Sequence, residues 1–230
     1  MTRPVAARGP VIAIDGPSGC GKSTAALGLA RRLRFLYVDT GAMYRAVALG
    51  SLQAGIAASD VWRLAHLARR VRVNLRMAAG RLRVTLGGRD VTQAIRTAAA
   101  AERASQIAVI PEVRRAMVAQ QRRIGRRGQV VAEGRDTGTV VFPSAPWKFY
   151  LTASLTTRAR RRWRELRDAG SRLTFPEVRR QVGLRDRRDM RRATSPLRRA
   201  RGAWVVDTTR RTRMQTLQTL LRYLKRHPVR

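Results

Sequence analysis

The sequence predicts an α/β fold in which helices flank a mainly parallel sheet, with one small antiparallel insert. Three observations carry this. Val11-Ile-Ala-Ile14 is a continuous apolar run that leads into a glycine-rich turn and then a helical pattern. Strand and helix signals go on alternating along most of the 230 residues. The exception is 71–86, where apolar and polar residues alternate on both sides of a turn. Alternating strand and helix favours parallel pairing, because a parallel neighbour needs a crossover connection. A chain of this length can bury a full core, as one domain or a closely coupled pair.

The run at Val11–Ile14 suits a central strand covered on both faces. A helix follows from about Ser23 to Arg34, with Leu27, Ala30 and Leu33 on one side. Phe35-Leu-Tyr-Val38 reads as a second strand ending at Asp39. Val71–Leu75 and Leu82–Leu86, separated by the Ala79-Gly80 turn, form the pattern of a hairpin with one wet face. Gln129–Ala132 and Lys148–Leu151 resume core strands, and Thr156–Asp168 is a very basic helix. Trp204–Val206 is a last short strand. A closing helix at Arg213–Arg226 carries Leu217, Leu220, Leu221 and Leu224 at helical spacing.

Charge is the unusual feature. Lys plus Arg number 49 against 14 acidic residues, giving +35, and only Lys22, Lys148 and Lys225 are lysines. The positive charge is densest in residues 155–230. Such a field attracts polyanions incidentally, while the scatter of the arginines equally suits a solvated coat. Aromatic residues are only 5%, and none interleave with a basic motif, which counts against nucleic acid as the main ligand. No apolar run approaches the roughly 18 residues of a membrane span, so no membrane association is expected. The apolar stretch after Arg3 and Arg8 is too short for a signal peptide. Cys20 is the only cysteine, which excludes an internal disulfide and fits a reducing compartment. The expectation is a cytoplasmic monomer.

Gly16-Pro17-Ser18-Gly19-Cys20-Gly21-Lys22-Ser23 satisfies every fixed position of the G-x-x-x-x-G-K-[ST] pattern, and Thr24 follows it. A buried strand before it and a helix after it are the context the pattern needs. The glycines let several N–H groups converge into an anion nest at a helix N-terminus. Lys22 can then reach the β- and γ-phosphates of ATP, and the Ser23 hydroxyl can ligate Mg²⁺. Cys20 within the nest is either a redox-sensitive group or simply a small residue that fits. Motors, transporters, GTPases and kinases all use such loops, so the second substrate has to be argued from other residues.

Three clusters bear on it. Thr40, Tyr44 and Arg45 are spaced to project from the first turns of a helix after the second strand. There Arg45 is either an anion ligand or a surface charge. Glu133-Gly-Arg135-Asp136 closes a core strand. It reads either as an acid orienting magnesium-bound water, with Arg135 and Asp136 facing the same cleft, or as a charged turn. On a helix, Arg185, Asp189 and Arg192 lie at i, i+4 and i+7, a spacing that also suits a solvent-facing ion-pair ladder.

Together these residues are recognisable. The motifs IDGPSGCGKST, VDTGAMYRAVAL, ASQIAVIPEVR, EGRDTGTVVFP, RDRRDMRRATSPL and VVDTT resemble, in order, the bacterial cytidylate kinase family from Val11 to about Thr209. The resemblance implies an ATP-dependent kinase for CMP or dCMP with a P-loop kinase core (1–38, 106–154, 191–230). It also implies a nucleoside-monophosphate-binding region (39–105), which holds the β insert, and a helical lid (155–190). By the same resemblance Arg45 and Arg135 hold the acceptor phosphate. Thr40, Arg114, Asp136 and Arg192 line the base, and Ser105, Arg185 and Asp189 the sugar. Lys22, magnesium and lid arginines (Arg161, Arg162 and Arg188, with Arg158 also placed there) neutralise the transferred phosphoryl group.

The chain departs from the family pattern where Leu155-Thr-Thr157 opens the lid without carboxylates. It departs again where Arg198, Arg199 and Arg201 crowd the approach to the last strand. Two alternatives stand beside this reading. One is a P-loop ATPase whose main work is binding nucleic acid or ribosomes. The other is the same kinase acting on UMP.

Overall fold

Strand β1, Val11–Asp15, is buried along its whole length, as its unbroken apolar run requires. The computed structural model describes residues 9–126 and 128–228; Arg3 and Arg8 lie outside them. The other strands are β2 (Leu36–Asp39), β3 (Val73–Ala78), β4 (Arg81–Leu86), β5 (Arg89–Asp90), β6 (Val130–Gly134), β7 (Trp147–Thr152) and β8 (Trp204–Asp207). A five-stranded sheet has the order β2-β6-β1-β7-β8, and a three-stranded sheet the order β3-β4-β5. Pairing is parallel for β2 with β6, β1 with β7 and β7 with β8. It is antiparallel throughout the small sheet.

The helices are α1 (Lys22–Leu33), α2 (Thr40–Gln53), α3 (Val61–Arg70), α4 (Ala98–Ile107), α5 (Pro111–Gly125), α6 (Leu155–Asp168), α7 (Phe175–Arg191) and α8 (Arg213–Arg226). Their starts are written locally. Asp39 caps α2 by accepting from the Ala42 N–H, Asp60 caps α3 and Thr97 caps α4. Thr174 with Glu177, and Thr212 with Gln215, form reciprocal capping boxes on α7 and α8. Pro111 opens α5, where its missing N–H costs no bond.

By its contacts the chain divides into two compact units, residues 1–11 with 30–133 and residues 12–29 with 134–230. The first unit buries Val38, Met43, Leu64, Ile107, Val113 and Met117, and within it α2 packs on α4 and α3 on α5. Its hairpin turns at Ala79 and Gly80, both with positive φ, so the turn lies where alternation breaks. The first hairpin strand starts at Val73 rather than Val71, and the short third strand β5 escapes the sequence pattern because two residues carry no periodicity. The second unit buries Ile12, Ile14, Phe149, Leu151, Val206 and Leu220, and α6 packs along α7.

Candidate functional site

The P-loop occupies residues 16–23 between β1 and α1, and two of its glycines are sterically obligatory. A Cβ on Gly16 would lie 2.0 Å from the Leu151 carbonyl oxygen, and one on Gly19 would lie 3.0 Å from that of Arg158. Both also have positive φ. Lys22 is buried, and its Nζ donates to the Pro17 carbonyl at 2.7 Å. Its ammonium therefore lies folded into the nest rather than swinging in solvent. Ser23 and Thr24 are exposed at the start of α1. Cys20 is fully buried, which supports the reading of a small residue that fits.

Two side chains brace the loop from α6, the basic helix of the sequence reading. Arg158 donates to the Ser18 carbonyl at 3.2 Å and the Ala153 carbonyl at 2.9 Å, and pairs with Asp186 of α7 at 2.6 Å. Arg161 donates to the Gly19 carbonyl at 3.4 Å and to the hydroxyl and carbonyl of Thr208 at 3.1 and 2.7 Å. The Thr208 hydroxyl in turn donates to the Cys20 carbonyl at 2.9 Å. Arg158 is thus a structural tie, while Arg161 is a cation held beside the P-loop backbone. Arg162 pairs with Glu165 on its own helix at 3.2 Å, and Arg188 is exposed on α7.

Asp15, at the end of β1, accepts from the Thr137 N–H and hydroxyl, both at 2.8 Å, and from the Gly138 N–H at 2.7 Å. Burial pushes its pKa up against these bonds. A one-turn π-helix at Thr137–Val141 presents those donors. Asp15, Asp186 and Thr208 were not singled out in the sequence, although IDGPSGCGKST, RDRRDMRRATSPL and VVDTT contain them. A carboxylate within such a string is a signal only once its partner, far away in sequence, is known.

The second unit also brings together four of the expected acceptor residues as two couples. Arg135 Nε meets the Asp189 carboxylate at 2.7 Å, and Arg192 meets Asp136 at 3.6 Å. Asp136, Asp189 and Arg192 are buried. Asp189 lies on α7, but Arg192 is the residue that ends it, with extended ψ. The one-face helical ladder therefore stops at Asp189, and Arg192 is instead held by donating to the Ser195 carbonyl at 2.6 Å. Arg185 lies one turn before Asp189 on α7. Desolvation by burial pushes the Asp189 carboxyl up, but the positive charge of Arg135, Arg185 and Arg192 outweighs it, and the net pKa is lowered from 3.8.

A lowered acid pKa means that the charged form favours the folded state. The stability it contributes is present above pH 3.8 and is lost as pH falls through the lower folded value. Wild type should therefore melt several degrees above Asp189→Asn at about pH 7, with the gap narrowing near pH 3. Melting curves that keep the same gap at both pH values would remove this charge term.

In the first unit, the Thr40 hydroxyl donates to the Glu133 carbonyl at 2.8 Å, and the Tyr37 hydroxyl to the Glu133 carboxylate at 3.0 Å. Glu133 is part of β6 and is buried. The Arg114 guanidinium stands 5.6 Å from the centre of the Tyr44 ring. Arg45 pairs with Asp39, the cap of its own helix, at 3.0 Å, and Ser105 is buried on α4.

The comparisons with known proteins decide the family. The cytidylate kinase family matches residues 12–226. The chain belongs to the cytidylate kinase family. It is 46% identical over 217 residues to "Cytidylate kinase" of Solibacter usitatus (strain Ellin6076), covering 94% of this chain and 92% of that one. It is 50% identical over 198 residues to "Cytidylate kinase" of Desulfitobacterium hafniense (strain Y51), covering 86% and 85%. A third relative, "Cytidylate kinase" of Caldanaerobacter subterraneus subsp. tengcongensis, is 43% identical over 216 residues, covering 94% and 95%. Family membership bears out the α/β fold with its P-loop and antiparallel insert. It does not favour a P-loop protein devoted to nucleic acid.

This kinase family implies ATP and a divalent metal, and the residues present fit one. Among the described residues no three His, Cys, Asp or Glu side chains cluster as a metal cage. Magnesium needs none, because it is commonly held by one or two protein oxygens, substrate phosphates and retained waters. The exposed hydroxyl of Ser23 at the P-loop is such an oxygen. Among the described residues no helix is long and apolar enough to cross a membrane.

Proposed function

We propose that this chain transfers the γ-phosphoryl group of ATP to CMP or dCMP, giving CDP or dCDP. The observation that carries the choice of acceptor is the pair of aspartate–arginine couples, Arg135 with Asp189 and Arg192 with Asp136, of which all but Arg135 are buried. Cytosine offers an amino donor at C4 beside acceptors at N3 and O2, so one carboxylate and one guanidinium can read it together. Uracil would turn a carbonyl toward the Asp136 carboxylate. A buried polar mismatch of that kind supports strong discrimination.

Arg45 and Arg135 hold the acceptor's phosphate. Thr40, Arg114, Asp136 and Arg192 surround its base, Ser105, Arg185 and Asp189 its sugar, and Tyr44 also belongs to the CMP site. That phosphate has a second pKa of about 6 and is already a nucleophile at neutral pH, so no general base is needed. Catalysis consists of in-line positioning and charge neutralisation. Lys22 draws the leaving phosphate oxygens, and Arg161, Arg162 and Arg188 neutralise the phosphoryl group in flight. When bound, magnesium adds Lewis-acid neutralisation at the phosphates, held by Ser23 and by water that Glu133 orients. Residues 155–190 close over the reactants and exclude water as a competing acceptor.

The test is a panel of monophosphates with ATP and magnesium. CMP and dCMP should be phosphorylated, UMP more slowly, and AMP and GMP scarcely at all; a protein that prefers UMP, or releases no CDP, overturns the assignment. Asp136→Ala should raise KM for CMP about a hundredfold while KM for ATP moves less than about twofold. Unchanged CMP kinetics would take Asp136 out of the acceptor site.

A further inference from the structure

The second unit contains a cavity of about 520 Å³ that no P-loop residue lines and to which the proposed reaction gives no role. Lys148, Arg198, Arg199 and Arg201 converge on it, joined by Thr139 and Ser195, and none of its lining residues is acidic. Four cations bordering one space repel one another; Arg198, Arg199 and Arg201 are exposed, and among the described residues no carboxylate forms an ion pair with any of the four. Lys148 donates to the Pro143 carbonyl and Arg199 to that of Ala203, which leaves each with further N–H groups to give.

The walls are already in place. Ser195 adopts a positive φ of 50°, its carbonyl is held by Arg192 at 2.6 Å, and the Leu197 N–H donates to the Asp189 carbonyl at 2.8 Å. The rim arginines therefore stand on a pinned turn, which lowers the entropy cost of gathering them on a ligand.

We propose that this cavity is a second anion site, taking a small molecule with a multiply charged phosphate chain, free or carried on a nucleoside. Guanidinium forks match phosphate oxygens in pairs, and several converging cations favour a multivalent anion over a single carboxylate. The volume is that of an ordinary small-ligand pocket. A nucleic-acid strand is the poorer occupant, because no aromatic side chain lines the cavity to stack a base.

Calorimetry tests this on the intact protein with ADP and CMP each held only just above the concentration that fills its substrate site, so that neither is in excess for a second site. Titrated inorganic tripolyphosphate should reveal one further site, and Arg198→Ala/Arg201→Ala should weaken it at least about tenfold. Removing the same charge elsewhere, by Arg69→Ala/Arg70→Ala, should change it less than about twofold, since distant surface charges are screened. A CTP titration separates the two sources: equal affinity assigns recognition to the phosphate chain, and tighter binding adds the nucleoside. The proposal is overturned if no further site is seen, or if both arginine pairs weaken binding alike. It is also overturned if a short single-stranded RNA occupies the site while tripolyphosphate does not.

Discussion

Lys22→Met is expected to lower kcat for CMP phosphorylation roughly a thousandfold, the size of effect typical of removing one preorganised charge from a phosphoryl-transfer or oxyanion site. In barrier terms that is about 4 kcal/mol. The size follows from how the ammonium is held. Lys22 is buried, with its Nζ 2.7 Å from the Pro17 carbonyl, so the charge is paid for in the folded protein and needs no reorganisation when phosphate arrives. Methionine keeps the length and apolar stem and removes only the charge. The measurement is kcat at saturating ATP, magnesium and CMP, with the melting temperature as control. A loss below tenfold in a normally folded variant would mean that Lys22 does not act on the transferred group.

Asp186→Ala is expected to destabilise the protein by about 3–5 kcal/mol, because it strands a buried guanidinium. Arg158 and Asp186 meet at 2.6 Å with side-chain exposures of 8% and 9%. Once its carboxylate is gone, Arg158 keeps, among the described residues, the carbonyls of Ser18 and Ala153, which are dipoles rather than charges. For a chain of this size the loss should lower the melting temperature by roughly 6–20 °C. Arg158→Met/Asp186→Leu, which removes both charges, should recover most of it, since apolar replacements of a buried pair are often tolerated. If the single and double variants melt alike, the cost comes from packing and not from an unpaired charge. Because Arg158 also braces Ser18, the single variant should raise KM for ATP as well.

The two predictions draw on different layers of information. Lys22 is legible in one line of sequence, because the P-loop is a local device: its glycines, lysine and hydroxyl are consecutive and need only a strand before and a helix after. The same holds for the helix caps, the Ala79-Gly80 turn and the apolar run of β1. Asp186 is not legible in this way. Its meaning depends on Arg158, 28 residues away, and nothing in either local pattern distinguishes a buried tie from a solvated pair. Arg192 illustrates the converse error: helical spacing put it on a face with Arg185 and Asp189, but the helix ends at Arg191 and the side chain is fixed by Ser195.

By itself the sequence determined the α/β class, the strand–P-loop–helix unit and, through motifs strung along most of the chain, the family. These are properties of short segments, where spacing and backbone preference decide. Tertiary structure alone decided which arginines are ties and which face open space, how Asp136 and Asp189 acquire their guanidinium partners, and that Lys148 borders the same cavity as Arg198 and Arg201. In a chain with 49 Lys and Arg residues, side-chain identity distinguishes almost nothing, because a guanidinium takes its role from the carboxylate, carbonyl or cavity that folding sets beside it.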